Sequence, residues 1–327
     1  MSNDNERDTN EVARTETESA LGSFQQDTVE SAPEHPDEVV RARQVDSTGR
    51  AAANDDGTTP IIELRDVSVT FRSRSGGIFK PHLVHAVRGV TMKLNAGETL
   101  GLVGESGCGK STTARVMCGL QDPTEGEVYF QGRKVTKRSA KDRKQIGRVV
   151  SVVFQDPATA LNARMIVAEQ LLDPMVVHKI NNKSYREERI RELIHLVGLP
   201  ESVLQALPGQ LSGGQRQRVA IARALSLNPD AIIADEPTSA LDVSVRAQIL
   251  NLLSDLKDDL NLGMVFISHD IQTVRYVSDR IAVMNGGTVV EEGPAQQILE
   301  NPRDEYTRTL LGAAPSLLHP AKSAFAN

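Results

Sequence analysis

Apolar residues in this chain fall into short runs, and the spacing within each run predicts its conformation. Ile61-Ile62-Glu63-Leu64-Arg65-Asp66-Val67-Ser68-Val69-Thr70-Phe71 is β-rich and alternates in part, which predicts a strand. Ala86–Leu94 predicts a second strand, ending at Ala96-Gly97-Glu98, and Gly76, Gly77 and Pro81 place a turn or loop over 72–81 between them. Thr99-Leu100-Gly101-Leu102-Val103 reads as a short buried strand that feeds a glycine-rich turn and a helix. Val149–Phe154 and Ala231–Ala234 are continuous apolar runs of the kind that parallel sheets bury on both faces. Met264–Ile267 and Ile281–Met284 supply further strands. Residues 163–206 differ, with helical spacing through Ile166–Val177 and Tyr185–Val197, so a helical insert between strands is expected; a short helical tail follows Pro302. No internal repeat of solenoid type is present. The pattern predicts an α/β architecture with an inserted helical part.

Composition narrows the possible roles. The 327 residues suggest one large or two ordinary domains, and the formal charge of −6 is unevenly placed. Residues 1–59 hold 14 acidic and 5 basic side chains, net −9, leaving 29 acidic and 32 basic, net +3, in 60–327. The acidic segment has one aromatic, Phe24, and no apolar periodicity, so it is expected to be a disordered extension. Three per cent aromatic residues, no Trp and an acidic balance argue against a nucleic-acid partner. Cys108 and Cys118 are too few for a disulfide framework or a four-thiolate metal site, which fits an intracellular chain. No apolar run approaches the length of a membrane span and no secretory signal opens the chain, so any membrane association is expected to come through a partner.

Two motifs carry phosphate chemistry. Gly104-Glu105-Ser106-Gly107-Cys108-Gly109-Lys110-Ser111 fits G-x-x-x-x-G-K-[ST] after an expected strand and before an expected helix. Glycines let the backbone turn its N–H groups toward phosphate oxygens, and a helix N-terminus adds positive partial charge there. Lys110 suits the β- and γ-phosphates, and the Ser111 hydroxyl suits Mg²⁺. Cys108 lies at that helix N-terminus, so a lowered thiol pKa is expected, with alkylation inhibiting hydrolysis and ATP protecting. Ala231–Ala234 ends in Asp235-Glu236, two carboxylates at a buried strand end, suited respectively to a Mg²⁺ ion and to the attacking water.

With Leu211-Ser212-Gly213-Gly214-Gln215 before Val219–Leu225, the ordered set resembles the ATP-binding-cassette family. That set includes Gln155 in Val153-Phe154-Gln155-Asp156-Pro157, Ser239-Ala240-Leu241-Asp242, and His269 in Ser268-His269-Asp270. The resemblance implies a P-loop NTPase with a RecA-like core sheet, an N-terminal antiparallel β subdomain and an inserted α-helical subdomain. It implies an ATPase domain over 60–312, with the helical part at about 157–225, and a tail over 313–327. Gly104, Glu105, Ser106, Gly107, Cys108, Gly109, Lys110, Ser111 and Thr112 would bind ATP. Ser111, Gln155 and Asp235 would hold Mg²⁺, and Glu236, His269 and Gln155 would be catalytic. Two chains would pack head to tail, with Ser212, Gly213, Gly214 and Gln215 closing on the nucleotide of the other chain and Asp242 shaping the interface. Taken alone, Ser212 would read as a helix N-cap. Phe71 stands where the family stacks adenine, with Phe79 and His85 as alternatives and core packing as the other reading of Phe71.

Gly97–Ser111, Phe154–Pro157 with Leu161-Asn162, and Asn301-Pro302-Arg303-Asp304-Glu305-Tyr306-Thr307-Arg308-Thr309-Leu310-Leu311 resemble the ATPases of oligopeptide and dipeptide importers, nearer the second of their two ATPases. The implied partners are two permease subunits, a second ABC ATPase in a heterodimer, and an extracytoplasmic solute-binding protein. The implied place is peripheral, on the cytoplasmic face of the cell membrane. Ala160 and Ala163 depart from the family's usual Ser and Pro, and no cysteine follows Cys118 to build the metal cluster of some relatives. Nickel or another small solute is the alternative load. An exporter ATPase and a soluble non-transport cassette ATPase are the alternative machines.

Overall fold

The computed structural model describes residues 59–73, 82–135, 139–156 and 160–313. The acidic extension up to residue 58, the loop residues 74–81 with Phe79, and the tail after 313 lie outside the described residues. The described residues form two compact units.

The first unit comprises Pro60–Val152, Asp230–Pro237 and the segment from Asn261 onward. It contains an antiparallel sheet of β1 (Ile62–Ser73), β2 (His82–Leu94), β4 (Glu125–Phe130) and β5 (Arg133–Val135), in the order β2-β1-β4-β5. Its second sheet contains β3 (Thr99–Val103), β6 (Val150–Val153), β7 (Ala231–Asp235), β8 (Gly263–Ile267), β9 (Arg280–Asn285) and β10 (Thr288–Pro294), in the order β10-β9-β3-β8-β7-β6. Strands β7, β8, β3 and β9 run parallel, and β10 returns antiparallel to β9. Helices α1 (Lys110–Met117), α2 (Ala140–Val149), α7 (Ile271–Val277), α8 (Ala295–Glu300) and α9 (Glu305–Ala313) complete the unit.

Every residue of β3 and β8 is buried, which is why these strands read as unbroken apolar runs. Leu100 and Leu102 join Ile62, Leu64, Val87, Leu94, Val116 and Met117 in one core, where each large apolar side chain contributes about 1.5–3 kcal/mol. The run Val149–Phe154 behaves differently from its expectation. A capping box between Ser139 and Asp142 starts α2, which continues through Val149, and Phe154 lies exposed beyond the strand. The remaining strand, β6, ends the sheet order, with Ser151 and Val152 partly exposed. The first strand runs past its expected end to Ser73, because Ser73 pairs with His82. Strand β4 was hidden by its composition. Its polar face carries Glu127 and Tyr129, with Arg65 4.3 Å over the Tyr129 ring, while Val128 and Phe130 enter the core.

The second unit comprises Val153–Pro229 and Thr238–Leu260 among the described residues. Helices α3 (Val167–Val177), α4 (Lys183–Leu196) and α5 (Gly213–Ala224) pack on one another, with Leu171, Met175, Ile190, Leu193 and Ile194 fully buried, and α6 (Val243–Leu260) packs on α5. The α4 helix starts two residues before its expected span, where the Asn182 side chain accepts the Tyr185 N–H at 3.1 Å. Buried Arg189 ties α4 to the end of α5 by donating to the Leu225 carbonyl at 2.9 Å, with its charge met by Glu192 at 2.6 Å.

Candidate functional site

Three adjacent parallel strands deliver three loops to the same level. Leu102 of β3 and Asp235 of β7 both pair with Ile267 of β8, so the segments after Val103, Asp235 and Ile267 leave the sheet together. Crevices at the carboxyl ends of such strands are where α/β sheets place ligands.

The loop after β3 has its expected glycine-dependent shape. Gly104 and Gly109 have φ of 149° and 109°, and a Cβ at either would press on backbone oxygens, Met284 O at 2.2 Å or Ala86 O at 2.4 Å. Gly287, in the turn between β9 and β10, braces the loop by donating its N–H to the Cys108 carbonyl at 3.0 Å. Lys110 is buried, and its ammonium donates to the Gly104 and Glu105 carbonyls, both at 2.8 Å. The cationic head is therefore held inside the loop, where a phosphate would exchange charge for dipole.

Cys108 occupies a different environment from the one its position suggests. Its side chain is buried, and its sulfur lies 3.7 Å from Lys110 Nζ. It would also be 2.8 Å from a Cβ on Gly104. The thiol is thus enclosed between Gly104 and the Lys110 ammonium.

On β7, burial pushes the Asp235 carboxyl above its usual range, the Ser111 hydroxyl hydrogen-bonds to it and pulls it down, and the neighbouring Glu236 charge pushes it up. A half-buried carboxylate beside a hydroxyl is an all-oxygen donor pair suited to a hard cation such as Mg²⁺, with phosphate and water oxygens to complete the shell. Among the described residues no cluster of three or more His, Cys, Asp or Glu could hold a metal unaided. Glu236, half-buried, lies with Oε1 3.1 Å from Nδ1 of exposed His269.

Gln155, Ser212, Gly213, Gly214, Gln215 and Asp242 belong to the second unit. Gln155 is exposed on the bend after β6. Ser212 caps α5 in a reciprocal box: its Oγ accepts the Gln215 N–H at 3.2 Å, and Gln215 Oε1 accepts the Ser212 N–H at 2.9 Å. Gly214 is required by packing, since a Cβ there would meet Val245 at 2.6 Å. Asp242 caps α6 by accepting the Val245 N–H at 3.0 Å. On β1, the Phe71 ring is 40% exposed beside its register partner Val84, so it is not core packing; His85 is engaged with Thr70 at 3.0 Å. Tyr306, marked in the sequence only as part of the tail Asn301–Leu311, accepts the Glu105 N–H on its hydroxyl at 3.1 Å across 201 positions. No local pattern could signal that pair.

Among the described residues no helix is long and apolar enough to cross a membrane. A family model described as ABC transporter matches residues 87–239. The chain is 46% identical to the oligopeptide transport ATP-binding protein AppF of Bacillus subtilis (strain 168), over 78% of each chain. It is 43% identical to the dipeptide transport ATP-binding protein DppF of Escherichia coli (strain K12), over 79% of this chain and 77% of that one. Among solved structures it is similar to the dimeric cassette MJ0796 in a post-hydrolysis state with ADP and Pi, at TM-score 0.63 and 32% identity, covering 72% of this chain and 98% of that one. It is similar also to cbiO1 of Clostridium perfringens, at TM-score 0.65 and 26% identity, covering 75% and 92%. The chain belongs to the ABC transporter family, among the ATP-binding proteins typified by those of oligopeptide and dipeptide transport.

Proposed function

We propose that this chain is the ATP-hydrolysing subunit of an importer that takes up peptides. The observation that carries the hydrolytic part is the meeting of the phosphate loop, Asp235 and the Glu236–His269 pair at the carboxyl ends of three adjacent strands. ATP phosphates sit in the turn Gly104–Ser111 with the α1 N-terminus behind them, and Lys110 moves its charge from the loop carbonyls to the β- and γ-phosphates. Phe71 offers its exposed ring to the adenine. Ser111 and Asp235 would hold Mg²⁺, which when bound would neutralise phosphate charge. Glu236 takes a proton from the attacking water, and His269 fixes the carboxylate that does so.

The N-terminus of α5, capped by Ser212, has the polarity that suits a phosphate. As the family resemblance implies, two cassettes pair head to tail, with Ser212–Gln215 of each closing on the nucleotide of the other and Asp242, which caps α6, shaping that surface. The working partners are a second cassette ATPase, two permeases and an extracytoplasmic binding protein, with this subunit on the cytoplasmic face of the membrane. Relatives named for oligopeptide and dipeptide transport support peptide as the load over nickel or a non-transport role.

Affinity purification of the tagged full chain from detergent-solubilised native membranes tests this reading. Two permeases, a second cassette ATPase and a binding protein should co-purify, and the binding protein should take up peptides. Recovery of ribosomal or DNA-repair proteins without a permease would remove the transport role.

A further inference from the structure

The segment that opens α9 plays no part in the chemistry above, yet it reaches the phosphate loop. Glu291 of β10 accepts the N–H groups of Arg303 and Asp304 on its two oxygens, at 2.8 and 3.1 Å. Asp304 then caps α9 by accepting the N–H groups of Tyr306 and Thr307, at 2.8 and 3.3 Å. Arg308 closes back on the Pro302 and Arg303 carbonyls at 3.1 and 2.8 Å. Each joint engages backbone, so the first turn of α9 is fixed to β10. From it, half-buried Tyr306 brings its hydroxyl oxygen to the Glu105 N–H.

That N–H belongs to the same peptide plane as the Gly104 carbonyl, which accepts from Lys110 Nζ at 2.8 Å. A peptide unit is rigid and planar, so holding its N–H edge also sets the direction of its carbonyl. The plane follows a glycine, the residue least able to resist rotation on its own. We propose that Tyr306 is a positioning residue for the phosphate loop: its hydroxyl clamps the Gly104–Glu105 peptide and thereby the seat from which Lys110 meets the nucleotide. The inference rests on the reading of Gly104–Ser111 as a nucleotide site. The clamp works with a neutral phenol, which the ordinary phenol pKa already supplies at neutral pH, and burial pushes that pKa further up.

The test is fluorescence titration of the full chain with TNP-ATP, comparing wild type, Tyr306→Phe, Tyr306→Ala, Lys110→Ala and the double variant Lys110→Ala/Tyr306→Phe. Loss of one hydrogen bond should weaken binding about fivefold in Tyr306→Phe. Tyr306→Ala should match it, because the hydroxyl and not the ring is the clamp. In the Lys110→Ala background Tyr306→Phe should add nothing, because the seat then has no occupant. Wild-type affinity in Tyr306→Phe, or the same fivefold loss on top of Lys110→Ala, would overturn the proposal. Equal binding by wild type and Lys110→Ala would instead remove the nucleotide-site reading beneath it. Should Tyr306→Ala fail to fold, the Phe variant and the double variant decide alone.

Discussion

His269 Nδ1 lies 3.1 Å from Glu236 Oε1, joining residues 33 positions apart that leave neighbouring parallel strands. The backbone is bent to allow it. Glu236 has φ 48°, a left-handed conformation that costs a non-glycine residue about 1–2 kcal/mol. Its N–H still reaches the Ile267 carbonyl at 2.9 Å. The strand end is therefore turned within the sheet's own hydrogen bonding, and the carboxylate is presented to the ring after β8. Strain held in place by surrounding bonds is a mark of functional sites.

Glu236→Gln keeps the shape and the left-handed backbone while removing the proton acceptor. Turnover should fall by about 10²–10⁴-fold, with TNP-ATP affinity within a factor of two of wild type. His269→Ala should lower kcat in the same direction and leave ATP binding nearly unchanged, since it removes only the partner of Glu236. Steady-state phosphate release, read beside nucleotide titration, separates the two effects. Full turnover in Glu236→Gln would take that residue out of the mechanism.

Asp235 should show the cost of keeping a carboxylate at a half-buried strand end. Burial raises its folded-state pKa above the unfolded value, with Ser111 opposing and Glu236 adding to the rise. Between the two values the folded chain binds more protons than the unfolded one. The contribution to stability is then greatest below the unfolded pKa and is lost as pH rises through the folded one. Asp235→Asn should therefore melt higher than the parent at neutral pH, with the gain shrinking as pH is lowered toward the ordinary Asp value, while hydrolysis is lost. Melting curves across pH check it; a variant less stable at neutral pH would show that the Ser111 bond outweighs burial.

Cys108 should resist alkylation in the folded chain. Position alone predicts a reactive thiol at a helix N-terminus, but the side chain is buried, whereas Cys118 is partly exposed. Peptide mapping after brief iodoacetamide treatment should find Cys118 modified first and Cys108 modified mainly after denaturant is added, with ATP making little difference. Rapid labelling of Cys108 that ATP suppresses would restore the expectation drawn from position.

What could be read from the chain beforehand follows from how local each signal is. The strand Thr99–Val103 and the turn Gly104–Ser111 were legible because burial on both faces and a phosphate-binding turn each impose residue types over a few consecutive positions. Strand β4 was not, because Glu125, Gly126 and Glu127 mask the two residues that enter the core. Val149 was misplaced since an apolar residue closing a helix and one opening a strand look alike in an unbroken run. Contacts such as Gly287 with Cys108 and Tyr306 with Glu105 depend on where distant loops return, so no spacing encodes them.

Ser212 has a capping role and a proposed phosphate-closing one, and one pair of substitutions can separate them. Its hydroxyl caps α5 through the Gln215 N–H, so Ser212→Ala should cost about 1 kcal/mol. For a unit of this size that lowers the melting midpoint by about 2–4 °C. Asp is as good an N-cap as Ser, so Ser212→Asp should melt near wild type. The same carboxylate would face the partner's terminal phosphate if the α5 N-terminus closes on it, and like charges there oppose association. In the Glu236→Gln background, where ATP is held uncleaved, size-exclusion chromatography should show an ATP-dependent dimer for the Ser212 parent and none for Ser212→Asp. Dimerisation of Ser212→Asp at the parent's ATP concentration would leave Ser212 a helix cap and move the phosphate-closing surface elsewhere.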